Sequence, residues 1–135
     1  MTNLERLQEA YKSWHDSKGS DPSPWFDLMA DSVDIQSLGN ESKPLAFANR
    51  RRSKQEAAEY FSSLTEHWTM VHWTPETFVT EGNRIAVFAR CAWTNKATGK
   101  TVETPSAHLW QFEGGKAASI VEIFDSARVM AAATP

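Results

Sequence analysis

The stretch Val102-Glu103-Thr104-Pro105-Ser106-Ala107-His108-Leu109-Trp110-Gln111-Phe112, then Glu113-Gly114-Gly115-Lys116, then the run through Ile120-Val121-Glu122-Ile123-Phe124-Asp125, decides the fold. Side chains alternate across a strand, so each run splits into two faces. Val102, Thr104, Ser106, His108, Trp110 and Phe112 share one face, while Thr101, Glu103, Pro105, Ala107, Leu109 and Gln111 share the other. The first set is bulkier and more apolar, which places it against a core. Gly114-Gly115 is a hairpin signal between two such runs. In the last run, Ala117 to Ala127, Glu122 lies on the face of Ile120, Phe124 and Ser126, and Asp125 on the face of Val121, Ile123 and Ala127. Each face carries one carboxylate, and only a bulge would turn both inward. The pattern leaves the choice open.

Working back along the chain, Ile85 to Thr94 is a third strand-like run. It is bounded by Gly82-Asn83 and Ala97-Thr98-Gly99. Ile85, Val87, Ala89, Cys91 and Trp93 form its inward face; Arg90 and Thr94 look outward. Arg90 beside Phe88 and Ala92 describes an outer face that is only partly wet, as in a sheet that also makes a dimer contact. Val71 to Thr80 precedes it as a run that Pro75 bends. Consecutive hairpins of this kind make an antiparallel meander.

The first half has a different period. Leu4, Leu7, Tyr11 and Trp14 fall on one helical face, Thr2 and Glu5 stand at capping-box spacing, and Gly19 ends the segment. Ser23 and Pro24 open a short helix reaching Ala30, with Trp25, Phe26, Leu28 and Met29 as its apolar content. Val33 to Leu38 alternates as a strand, and Gly39 to Arg52 reads as a loop. Ser53 and Glu56 make a second capping box before the stripe Ala57, Tyr60, Phe61, Leu64 and Trp68. Helices first and strands after them mean α+β, and no repeat or linker divides the chain, so residues 1–135 are expected to form one domain.

Composition excludes several classes of function. The 135 residues are 41% hydrophobic and 23% charged, which removes disordered and low-complexity readings. A net charge of −3 argues against broad nucleic-acid binding. No apolar run reaches the roughly 18 residues of a membrane span, and the start Met1-Thr2-Asn3-Leu4-Glu5-Arg6 lacks a signal-peptide pattern, so a cytoplasmic protein without a membrane partner is expected. Cys91 is the sole cysteine, and His15, His67 and His72 stand at no metal-ligand spacing, so neither a disulfide nor a metal is expected. Arg50-Arg51-Arg52 precede a capped helix and are read as a solvated loop.

The order of these elements resembles the NTF2-like cone, in its SnoaL-like and ketosteroid-isomerase-like branch. The matching stretches are Trp25 to Val33, Arg51 to Phe61, and His108 to Lys116 running into Glu122-Ile123-Phe124-Asp125. The resemblance implies a curved antiparallel sheet wrapped around helices, an apolar pocket at the open end, and a homodimer. Ketosteroid isomerase works with an Asp base, a Tyr and a protonated Asp. Carried onto this chain, the protonated acid falls near His108, the base near Ser37 and the tyrosine near Tyr11. Two of the three are changed, so steroid isomerisation by that route is not expected. The acid that polyketide cyclases and limonene-type epoxide hydrolases use at the end of the last strand falls on Asp125. The Arg and second Asp of the epoxide hydrolases have no full counterpart in Ile85 to Thr94.

The residues then point to one chemistry. A carboxylate among aromatic rings loses hydration, so its pKa rises and it becomes a usable base. Asp125 is expected as that base, with His108 and Tyr11 as polar partners. Trp14, Tyr60, Trp93, Trp110, Glu122 and Ser37 are expected to line a ligand site, and Trp25, Trp68 and Trp73 to serve as core or rim. The expected function is a small cofactor-independent enzyme of isomerase, cyclase or dehydratase type, acting on a hydrophobic carbonyl compound. The alternatives are a non-catalytic binder of a small apolar molecule and an NTF2-like dimerisation or interaction domain.

Overall fold

In a computed structural model, which describes residues 1–37 and 45–135, the elements run α1 (Asn3–Asp16), α2 (Ser23–Leu28), β1 (Met29–Ser37), a 3-10 turn (Ala46–Ala48), α3 (Lys54–His67), β2 (Trp68–Glu81), β3 (Arg84–Asn95), β4 (Thr101–Glu113), β5 (Lys116–Phe124) and α4 (Ser126–Ala133). Leu38 and the first part of the expected loop, through residue 44, lie outside the described residues.

Local chemistry sets the helices. Thr2 Oγ1 accepts from the Glu5 amide at 3.1 Å while the Glu5 carboxylate receives the Thr2 amide, a complete capping box. Leu7, Ala10, Tyr11 and Trp14 form the buried stripe of α1. Lys18 and Gly19 stop it with φ of 51° and 77°. Ser53 caps α3 through the Glu56 amide at 3.0 Å. Ahead of α3, Arg51 exchanges both backbone hydrogen bonds with Ile35, at 2.7 and 3.0 Å, and Arg50 grips Asp34 with two nitrogens. The arginine run thus ties the start of α3 to β1.

The five strands lie in the order β1-β5-β4-β3-β2. β2 to β5 form the expected antiparallel meander, with Gly114 and Gly115 both at positive φ in the last hairpin. β2 runs through Pro75 because it is an edge strand, which tolerates a residue without an amide proton. The sheet is mixed, however. β1 joins β5 in parallel, with Ile35 opposite Ile120 and Ser37 opposite Glu122. A parallel neighbour needs a long crossover, and here α3 and the whole meander supply it.

Boundaries shift at three places. β2 begins at Trp68, which was expected on the helix, and not at Val71. α2 stops at Leu28 and β1 begins at once with Met29; Pro22, not Ser23, occupies the cap of α2. β5 ends at Phe124, because Asp125 caps a fourth helix where strand was expected to continue to Ala127. The expected inward faces of β3 and β4 are all buried, and the helices cover that side. The other side of the sheet exposes Phe88, Leu109 and Ile123.

Candidate functional site

Between α1, α3 and the concave face of the sheet lies a pocket with about 80 Å³ of free volume, partly open to solvent. All six tryptophans and both tyrosines of the chain line it. Trp14, Tyr60, Trp93 and Trp110 line it, and Trp25, Trp68 and Trp73, expected as core or rim, belong to the buried core and stand in the same wall. Trp73 stacks on Tyr11 with ring centres 4.8 Å apart and on His108 at 5.0 Å, so this part of the wall is a packed aromatic column. Val129 of α4 closes the lining beside Trp93 and Val102.

A line of hydrogen bonds crosses the wall. Trp110 Nε1 donates to the Tyr11 hydroxyl at 2.8 Å, that hydroxyl stands 2.5 Å from His108 Nδ1, and His108 Nε2 stands 3.0 Å from Glu122 Oε2. Ser37 donates to Glu122 Oε1 at 2.8 Å, and Tyr60 donates to Oε2 at 3.0 Å. Alternation places His108 and Trp110 on the inner face of β4. The antiparallel register sets His108 opposite Glu122, and the parallel register sets Ser37 on its other flank. One carboxylate is therefore surrounded by donors from β1, α3 and β4.

The electrostatics follow from burial and from these partners. Burial pushes the Glu122 carboxyl up, but the hydrogen bond and electrostatic attraction of His108, with the hydrogen bonds from Ser37 and Tyr60, outweigh it and hold the group below the usual carboxylate value. Burial raises the Tyr11 phenol well above its ordinary value, against the Trp110 hydrogen bond. Tyr60 is raised likewise, by burial and by the neighbouring Glu122 charge. Burial pushes the Cys91 thiol up to about 12, so this lining sulfur is an inert thiol. Among the described residues no cluster of three or more His, Cys, Asp or Glu side chains is placed to hold a metal ion.

Asp125 is the correction. Its side chain accepts from the Arg128 amide at 3.1 Å and pairs with the Arg128 guanidinium at 3.2 Å, and it is not part of the pocket lining. The backbone leaves the strand at this residue, so its carboxylate turns to the first turn of α4, where the free amides favour it. Glu122, on the inward face with Ile120, is the carboxylate that enters the cavity. Ser37, 1% exposed, touches Glu122 from behind and is not itself in the lining. Tyr11 and His108, expected as partners of Asp125, meet each other instead.

The architecture now has a family. The model of the SnoaL-like domain matches residues 7–120, most of the chain. The chain belongs to the SnoaL-like domain family. Solved structures agree with this in fold. This SnoaL-like domain superimposes on an NTF2-like protein of unknown function from Burkholderia pseudomallei with a TM-score of 0.87 and 23% identity, over 100% of both chains. TerC, crystallised with polyporic acid, gives 0.81 at 19% identity over 97% of each chain. A protein of ketosteroid-isomerase-like fold from Catenulispora acidiphila, in complex with trimethylamine, gives 0.78 at 16% over 99% of this chain and 100% of that one. No curated protein matches the chain.

Proposed function

We propose that this domain binds a small, largely apolar molecule in the aromatic pocket, with Glu122 as a fixed polar contact in its wall. The observation that carries the reading is the pairing of the polar groups. Tyr11, Tyr60, Ser37 and His108 have each committed a proton or a lone pair to one another or to Glu122. A general base works best with a pKa near the operating pH, and Glu122 is held on the far side of that range. Apolar walls with a few fixed polar groups are the usual make-up of a small-molecule site. Two proteins of the same fold hold small molecules, polyporic acid in one and trimethylamine in the other. An interaction domain, by contrast, would fill the cavity with its own side chains, and free volume argues against that. The test is quenching of tryptophan fluorescence by indole, together with native mass spectrometry of freshly purified protein. Saturable quenching or a retained small molecule is expected; neither would end the reading.

A second reading keeps the chemistry of isomerases, cyclases or dehydratases on a hydrophobic carbonyl compound, with Glu122 in the role first assigned to Asp125. It is favoured by one feature, the continuous line of titratable groups Tyr11, His108 and Glu122 inside a cavity. Deuterium incorporation next to the carbonyl of a cyclic ketone, present in the wild type and lost in Glu122→Gln, would support it over simple binding.

The outer sheet face supports a homodimer. Phe88 pairs with Ala107, which pairs in turn with Ile123, and Ala86 pairs with Leu109, which pairs with Val121, so two neighbouring apolar rows cross the meander. Phe88 and Ile123 are about half exposed, at 52% and 48%, and apolar patches of this kind mark contact surfaces.

A further inference from the structure

The donor inventory of the polar line determines the charge of the pocket. An indole N–H can only donate, so Trp110 makes the Tyr11 oxygen an acceptor. Tyr11 then has one proton, and His108 Nδ1 is its one remaining partner among the described residues. If Nδ1 also carried a proton, it would donate to the second lone pair of the Tyr11 oxygen, and the phenol proton would have no acceptor in a buried site. Leaving the phenol proton without an acceptor there is costly. The arrangement that satisfies every group has Tyr11 donating to Nδ1 and a neutral imidazole donating from Nε2 to Glu122 Oε2. Ser37 and Tyr60 are neutral hydroxyls. In that arrangement every partner of the Glu122 carboxylate is an uncharged donor.

The rest of the wall adds no compensating charge. Among the described residues that line the pocket there is no lysine and no arginine. Arg51, whose backbone pairs with Ile35 of β1, holds its Nε 3.7 Å from Glu59 Oε2, beyond hydrogen-bond reach, and is not in the lining. The cavity therefore presents one negative charge inside a ring of indoles and phenols.

From this we infer that the ligand is a cation: a small molecule whose methylated or otherwise alkylated ammonium group sits against Glu122 within the aromatic wall. This deepens the binding role proposed above and rests on it. Three physical facts favour that class over others. A bound anion would meet the Glu122 charge in a low-dielectric site and be repelled. A neutral ligand would expel pocket water and leave the carboxylate more poorly solvated than before. An alkylated ammonium offsets the charge, and its methyl groups fit apolar walls, while aromatic faces attract it through their negative quadrupole. A carbonyl ligand fares worse for a further reason. The hydroxyls of Tyr11, Tyr60, Thr104 and Ser106 are each committed to protein acceptors, so none is free to receive its oxygen.

The experiment compares two molecules of the same shape. Choline and its uncharged isostere 3,3-dimethylbutan-1-ol are titrated into the full chain, with tryptophan fluorescence and calorimetry as readouts. Choline is expected to bind at least about tenfold more tightly, and Glu122→Gln to erase most of that preference. Equal or tighter binding of the neutral isostere overturns the inference and leaves the binding role standing. If choline, the isostere and indole all fail to bind, both fall together. The wild-type comparison decides the matter by itself should Glu122→Gln not fold.

Discussion

The Tyr11 hydroxyl and His108 Nδ1, 97 residues apart in sequence, meet at 2.5 Å in the interior and join helix α1 to strand β4. Trp110 Nε1 reaches the same hydroxyl, so one oxygen organises two residues of the strand. Tyr11→Phe removes that oxygen while keeping the ring that stacks on Trp73. The indole N–H then loses its acceptor and Nδ1 loses its donor. We expect a loss of about 1–3 kcal/mol, because buried polar groups are left unpaired. Urea unfolding measures it. A midpoint unchanged within error would mean the contact contributes nothing to stability.

Glu122 makes stability depend on acid. Its folded-state pKa lies below the ordinary value of 4.5, so the unfolded chain takes up the proton first as pH falls. The stabilisation is fully present above the unfolded value and is lost as pH drops through the folded one. In Glu122→Gln this contribution is absent at every pH. The stability gap between wild type and Glu122→Gln should therefore be largest near neutrality and narrow steadily below about pH 4.5. Parallel urea midpoints for both proteins across pH 3 to 7 check the sign. A gap that widened on acidification would show that Glu122 is buried as the neutral acid.

Asp125 is expected to matter to the end of the chain and not to the pocket. Asp125→Ala deletes the cap of α4, a loss of about 0.5–2 kcal/mol, whereas Asp125→Asn retains an acceptor and should cost less. α4 is also held by Thr98 Oγ1 on the Ala132 carbonyl at 2.6 Å and by Lys100 on the Thr134 carbonyl at 2.7 Å, so it should stay docked. Ligand affinity in Asp125→Asn should match the wild type in the indole titration. A large loss of affinity with intact stability would return Asp125 to the site.

These three cases separate what residue order can disclose from what it cannot. The inward row Val102, Thr104, Ser106, His108, Trp110 and Phe112 was legible because alternation is a local property of a strand, and the structure buries every member. Tyr11 and His108 were expected in the site through family resemblance, but as partners of Asp125 and not of each other. The choice between Glu122 and Asp125 was not legible, because it depends on where β5 ends. The helix α4 that begins at Ser126 is only eight residues long and half alanine, too short to show a clear apolar period, and Asp125 reads equally well as a strand residue or a cap. Ser37 became a partner of Glu122 only through the parallel β1–β5 register, a long-range pairing that leaves no local pattern. Trp25, Trp68 and Trp73 are core as expected, but their share in the cavity wall was not legible. Trp68 lies where α3 gives way to β2, and Trp73 lies on a strand bent by bulges, so neither face could be assigned by periodicity alone.

The outer sheet face gives the last prediction. Phe88 and Ile123 share one cross-strand row with Ala107 between them, and Leu109 lies in the next row, so a charge at Phe88 falls beside apolar neighbours on its β4 side. Phe88→Asp points away from the core, since its strand neighbours Val87 and Ala89 are the buried ones. The fold should survive with a stability change within about 0.5 kcal/mol, the usual range for surface positions. Association should not survive. A self-complementary two-fold contact repeats each residue, so a dimer through this face would receive two new carboxylates in its apolar interface. Light scattering on the wild type is expected to give twice the 15.2 kDa chain mass, and on Phe88→Asp the chain mass itself. A wild type that is monomeric, or a dimer indifferent to the substitution, would show that this face is not where two copies meet.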